Sequence, residues 1–375
     1  MTAKSTQYEP TKHTTTDGTM NRRTFLRQGA ALSGGLLLSG CLGRLGFETQ
    51  SAWRDPPLVE DRPDAVYYPA IIEGMGMYGT TTAGDIGFAL MHSFPHRFWN
   101  LTGSRKTKVV VQSDDSVHLM ASVWDTETET ILPIDVSVEI SNSDGRVSST
   151  NLWPMISPNM GFHYGDNIAL PGEGQYDVTL QVGPLQTART SPFDGRFTEG
   201  QSATMQFTFD TDETYNLEIR RLGEKAGTRG TVDLMDMEMI PEPVVPTKSE
   251  LPGRLLHEGQ SGDATILVAL VDGDHRFSDS DGPFLIVSPR TPYNRVMLPR
   301  MALSATLDRG GDTITQGTLQ ASLDPDLGSF YGMGLDELET GDAVRLTVET
   351  PPQLARHDGY ETAFLDMDPI EFTVE

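Results

Sequence analysis

Beyond residue 63 the 3.6-residue spacing of a helix is almost absent, and short hydrophobic runs separated by Gly, Asp, Asn and Pro give a strand-and-turn pattern. Short runs rich in Val, Ile, Thr and aromatic residues predict strands over 85–91, 108–112, 118–124, 134–141, 176–182 and 203–209. A second series is predicted over 264–271, 284–287, 302–307, 318–322, 343–349 and 370–374. Asp144-Gly145, Gly172-Glu173-Gly174 and Arg309-Gly310-Gly311-Asp312 have hairpin-turn chemistry. Many short strands at this spacing predict an all-β chain built of sandwiches. The Pro-rich stretch from Pro241 to Pro246, continuing to Pro252, reads as a linker and divides the pattern into two parts, 64–246 and 247–375.

The two parts look like divergent copies. Gly161-Phe-His-Tyr-Gly165 precedes a strand and then Gly183-Pro184; Gly328-Ser-Phe-Tyr-Gly332 precedes a strand and then Pro351-Pro352. Phe330 takes the place of His163, so a site using that imidazole is expected in the first copy alone.

The N-terminus has a different texture. Arg22-Arg23-Thr-Phe-Leu resembles a twin-arginine export signal, followed by a short Gly/Ala/Leu-rich segment. That segment is too short and too glycine-rich for a spanning helix. Leu38-Ser-Gly-Cys41 resembles a lipobox, and Cys41 is the only cysteine of the 375 residues. Residues 1–41 are therefore expected to be a lipoprotein export signal and 42–63 a polar tether. The mature protein is then placed on the outer face of the cytoplasmic membrane, held by lipid. One cysteine also excludes a disulfide framework and Cys-cluster metal sites.

Charge narrows the class further. Fifty-three acidic residues face 28 basic ones, a net charge of −25, and only six of the basic residues are Lys. Such a surface excludes a nucleic-acid partner, whose phosphates need a basic face. It resembles the composition of haloarchaeal proteins, in which concentrated salt screens carboxylate repulsion.

The chemistry left over is Met and His. No phosphate loop, nucleophile elbow, HExxH or paired-Cys motif occurs, and no base–nucleophile pair is suggested by spacing, so no enzyme activity is expected. Met75 and Met77 precede the first long strand, His92 and His96 follow it, and Met155 and Met160 precede His163. Thioether and imidazole together suit Cu(I), and a nearby carboxylate would admit Cu(II) or Fe(II). Simpler readings stand beside this one. Met235, Met237 and Met239 alternate along an expected strand as sandwich core, His92 and His96 form a surface pair, and His257 and His275 are exposed.

Pro154-Met155, Phe162-His-Tyr-Gly-Asp-Asn-Ile168 and Gly174-Gln-Tyr-Asp-Val-Thr179, with Glu73-Gly-Met-Gly-Met77 and Gly84-Asp-Ile86 upstream, resemble the periplasmic iron-transport proteins. These include the treponemal pathogen-specific membrane antigen and proteins encoded beside ferrous-iron permeases. The resemblance covers about 120 residues of the first part, and the second part is a weaker copy. It implies immunoglobulin-like sandwiches, a lipoprotein or periplasmic homodimer, copper and iron binding, and a permease partner. Met155 and His163 match the family's Met and central His ligands. Gly87 and Ala89 stand where the family places a His and a Glu, with His92 and His96 just beyond. The family's last His has no counterpart in 184–189, whereas His357 keeps that place in the second copy. A weakened site, a rearranged one using His92 or His96, and a fold without its metal all remain open.

The expectation is thus two tandem immunoglobulin-like sandwiches behind a lipidated tether. The leading function is non-catalytic capture of iron or copper at the cell surface through Met155 and His163, helped by His92, His96, Met75 and Met77. The alternative is an interaction module that has lost the metal site.

Overall fold

Residues 57–278 and 282–375 are described by a computed structural model. Arg22, Arg23 and Cys41 lie outside the described residues, as does most of the tether. The described chain is all-β and immunoglobulin-like, with one five-residue helix at Thr211–Tyr215. Among the described residues, no helix is long and apolar enough to cross a membrane.

The expected strands form, most of them extended by a few residues at their ends. The 118–124 run lies inside Asp115–Asp125, and 264–271 coincides with Ala264–Val271. The 108–112 run is displaced, its strand being Arg105–Val109. Alternation decides which side chains go inward. In Gly174–Val182, Tyr176, Val178, Leu180 and Val182 are buried while Gln175, Asp177 and Gln181 are exposed.

The first half has two layers. Its larger sheet runs Gly76–Ala83, Ile86–Ser93, Asp115–Asp125, Gly161–Ala169, Trp153–Ser157, Ala355–Arg356, Phe98–Thr102, Arg105–Val109. The smaller runs Gln201–Phe209, Gly174–Val182, Val136–Asn142, Gly145–Asn151. In the second half the 13-residue strand Asp312–Asp324 serves both layers, pairing with Ala302–Arg309 through its first part and with Gly328–Gly334 through its last. The apolar core is continuous across both halves, with Phe88, Ile140 and Val178 in one cluster with Val268, Leu307 and Tyr331.

Both copies of the Tyr-Gly motif make the same corner. Tyr164 donates to Leu132 O and accepts from Ile134 N, both at 2.8 Å. Tyr331 donates to Leu298 O at 3.2 Å and accepts from Met301 N at 2.8 Å. Each hydroxyl bonds a buried N–H and a buried carbonyl; at Tyr164 those two groups also meet directly, Ile134 N–H donating to Leu132 O at 2.9 Å.

The halves also exchange short strands. Ala355–Arg356, from the C-terminal half, runs parallel to Trp153–Ser157 in the first-half sheet. Ala188–Arg189, from the N-terminal half, runs parallel to Asp312–Asp324 in the second.

Several expectations are corrected. The Gly172–Gly174 turn carries the chain from one layer to the other rather than closing a hairpin, because Gly161–Ala169 and Gly174–Val182 belong to different sheets. The 235–239 segment is not a strand; Met237 packs on the core while Met239 is 57% exposed. The Pro-rich stretch is packed, with Val245 buried and bonded through its N–H to Arg295 O. His257 is half-buried, stacked on Phe372 at 4.6 Å, and His275 is half-buried against Phe284.

Candidate metal centre

Met155 and His163 are directly opposed partners in the antiparallel pair Trp153–Ser157 and Gly161–Ala169, so their side chains leave the sheet on one face. Two and four residues beyond His163, Gly165 and Asn167 lie on that same face. Asn167 opposes His118 of Asp115–Asp125. Phe162 and Tyr164 point the other way, into the sandwich. Sheet pairing alone therefore lines up Met155, His163, Asn167 and His118 on the face opposite the sandwich core.

Two further segments cover this face. The connection after Ile86–Ser93 brings His96 over it, and the exchanged strand Ala355–Arg356 delivers His357. Ligand nitrogens of His96, His118 and His357 all lie within 4.8 Å of one another. His96 Nε2 is 3.1 Å from His357 Nδ1, and His357 Nε2 is 3.3 Å from Met155 Sδ. The His163 ring centre lies 5.3 Å from that of His357. All five side chains are nearly or fully buried.

The surrounding hydrogen bonds fix which ring nitrogens carry lone pairs. Asn167 Nδ2 donates to His96 O at 2.9 Å, so its Oδ1 accepts from His118 Nδ1–H at 2.8 Å. His163 Nδ1–H donates to Gly161 O at 3.1 Å, and His96 Nδ1–H to Phe94 O at 3.0 Å. Nε2 is thereby left as the lone-pair nitrogen in each of these three rings. His118 Nε2 and His163 Nε2 are buried and meet no protein donor. Burial, the main cause, holds His118 and His357 well below the ordinary histidine range and brings His163 down to about 4. These three imidazoles are consequently neutral, the form that ligates metal. His357 Nδ1–H faces the His96 Nε2 lone pair, which leaves the Nε2 lone pairs of His118, His163 and His357 converging with the Met155 thioether, a set that suits one soft or borderline cation.

Gly165 makes room. A Cβ there would stand 2.9 Å from His118 Nε2 and 3.1 Å from Met155 Sδ. At the solvent side a cleft lined by Glu73, Ser157, Asn159 and Asp358 reaches His96 and His357. Glu73 Oε2 lies 3.9 Å from His96 Nδ1, and Asp358 is held by Arg97 at 2.5 Å.

Three of the sequence-proposed ligands, Met155, His163 and His96, are brought together. His96 is buried rather than a surface residue, and so is His92. His92 leaves its strand on the sandwich side, stacked on Tyr78 at 4.1 Å, because the neighbouring Ser93 takes the site face opposite His118. Met75 and Met77 pack against the apolar core. Gly87 cannot carry a ligand, since a Cβ there would fall 2.4 Å from the Trp124 ring. His118 was missed because it opens the mostly apolar run 118–124 and has no Met or His partner near it in sequence. His357 was assigned to the second copy, and the exchange that carries it across has no local signature. One signal was available: His96-Arg-Phe98 recurs as His275-Arg-Phe277.

Known proteins share parts of this chain. Residues 249–373 match a family model described as a domain of unknown function (DUF7350). UPF0423 proteins of Brucella abortus and Brucella melitensis are 35% identical over 80 residues, covering 19% of this chain and 43% of theirs. The match thus spans less than half the length of those relatives. A structure of a copper-bound variant of uropathogenic Escherichia coli FetP is 20% identical, covering 36% of this chain and 98% of that one, with a TM-score of 0.29. Residues 113–219, which contain His118, Met155 and His163, match the family model described as Fe2+ transport protein.

Proposed function

We propose that this protein is an exported, non-catalytic metal-capture protein that binds one Cu(I), Cu(II) or Fe(II) ion through His118, His163, His357, His96 and Met155. The observation that carries the reading is the buried convergence of three oriented Nε2 lone pairs, His357 and a thioether. His118 Nε2 and His163 Nε2 meet no hydrogen-bond partner among the described residues. The match of residues 113–219 to the Fe2+ transport protein family supports it. Four imidazole nitrogens and a sulfur stabilise Cu(I) most, while Glu73 and Asp358 at the mouth attract cations and can hand them inward.

The twin-arginine and lipobox sequences support export and lipid anchoring at the outer face of the cytoplasmic membrane. The acidic composition supports a haloarchaeal setting, and a metal permease is the partner that the family match suggests. In this reading the ion is cargo.

Calorimetric titration of the purified protein in high salt with Cu(I), Cu(II) and Fe(II) tests it. Saturable binding of one ion, weakened at least tenfold in His118→Ala and in His163→Ala, is the expected result. Binding that is weak in the parent and unchanged in both variants would leave the interaction-module reading in its place.

A further inference from the structure

The two halves correspond residue by residue around the metal centre. His357 N–H donates to Ile156 O at 3.1 Å, and, with the donor 167 positions earlier and the acceptor 167 positions later, Thr190 N–H donates to Leu323 O at 3.1 Å. The exchanged pair Ala355↔Met155, Arg356↔Ile156 has its mirror in Ala188↔Ser322, Arg189↔Leu323, again parallel and again displaced by 167. His163 opposes Met155 as Phe330 opposes Ser322. His118 opposes Asn167 as Phe284 opposes Gly334. The His96–His118 ring contact at 4.1 Å has its counterpart in His275–Phe284 at 5.4 Å.

From this we infer that the protein is an internally fused pair. A second site, the pseudo-symmetric counterpart of the metal centre, lies under the second half at Ser322, Phe330, Phe284, Thr190 and His275. It has been closed, so each chain holds one ion. Of the five positions only His275 keeps a ligand. Phe284 and Phe330 fill the place of two imidazoles and pack with Leu327 and Phe277. Thr190, in the place of His357, donates instead to Asp324 Oδ2 at 2.6 Å, and Arg276 clamps the same carboxylate at 2.7 and 2.8 Å. Arg97, the counterpart of Arg276, pairs with Asp358 on the crossing segment. The ion pair at the closed site thus sits one strand further in, where Ser157 stands in the open one. Exchange at the open site brings in an imidazole; at the closed site it brings in a hydroxyl that fastens the halves together.

The pseudo-symmetry stands on backbone register and does not depend on the function proposed above; the capacity of one ion does. Restoring ligands in the full chain with Thr190→His, Phe284→His, Phe330→His and Ser322→Met tests it, with Cu(I) as the probe. The expected result is a rise from one to two ions per chain. A folded variant that still binds one ion overturns the inference.

Should the fourfold variant fail to fold, single changes in the parent decide. His357→Ala is expected to lower Cu(I) affinity at least tenfold, with Thr190→Ala and His275→Ala leaving affinity and stoichiometry unchanged. A loss of affinity in either of the latter two overturns the inference. A parent that binds no Cu(I) while the fourfold variant binds one would overturn the proposed function and uphold the paired site. No binding in either would overturn both.

Discussion

Among single residues, glycine and asparagine do as much for the metal centre as the ligands themselves. Gly165 leaves the space into which His118 Nε2 and Met155 Sδ converge. Gly165→Ala is expected to weaken Cu(I) binding more than tenfold and, because its Cβ must push the buried His118 and Met155 aside, to lower the unfolding midpoint as well. Gly76→Ala is the complementary case. Its Cβ would fall 2.2 Å from His92 Cε1, so stability should drop and metal affinity should hold. Calorimetric titration and urea unfolding of both variants separate the two effects. The histidines also set a pH dependence. Burial brings His92 and His163 down to about 4 from an ordinary value near 6.5. Below about pH 6.5 the unfolded chain takes up protons at these positions that the folded chain refuses until about pH 4. Stability is therefore full above that window and falls through it, by about 2 kcal/mol per histidine at pH 5. Urea midpoints of the metal-free protein at pH 7.5 and pH 5 check this, and His92→Phe should flatten the difference.

At the scale of strands and corners, runs of Val, Ile, Thr and aromatic residues between turn signals located most strands, whether one face is wet, as in Gly174–Val182, or both are buried, as in Ile86–Ser93. The alternating methionines at 235–239 misled, since that segment is not a strand. Met155 and His163 were singled out by the family resemblance of the residues around them. Two things escaped it. His118 joins the cluster by pairing with a strand some fifty residues away, and His357 by a parallel contact 202 residues from Met155. Neither contact leaves a mark in the neighbouring sequence. His92 shows the opposite failure: close to His96 along the chain, it lies on the wrong face of its strand. The tyrosine corners offer a test of the paired architecture. Tyr331→Phe removes the hydroxyl that bonds Met301 N–H and Leu298 O and should cost about 2 kcal/mol in urea unfolding, whereas Tyr164→Phe leaves Ile134 N–H donating to Leu132 O and should cost less, about 1 kcal/mol. Equal losses in the two variants would show that this direct bond contributes nothing.

For the molecule as a whole, the balance of 53 acidic to 28 basic residues governs the conditions under which the fold holds. Several arginines work as collectors of carboxylates: Arg196 reaches Asp85, Asp125 and Glu127, and Arg309 reaches Glu337, Glu339 and Asp342. These clusters offset only part of the excess. Salt would screen the rest, since the Debye length falls from about 10 Å at 0.1 M to about 3 Å at 1 M. Thermal unfolding in KCl should rise by several degrees across that range and keep rising with further salt. A midpoint independent of salt would show that carboxylate repulsion is not limiting.

The strand carrying His357 has a consequence for how the protein is made. His96 and His357 touch although 261 positions separate them. A ribosome must therefore lay down the 194 positions from His163 to His357 before the last of the clustered imidazoles exists. A chain ended ahead of Ala355 lacks the strand that closes over the other four side chains. In the proposed reading such a fragment should bind metal poorly, so retention of a tightly held ion reports that the exchange of strands has been completed.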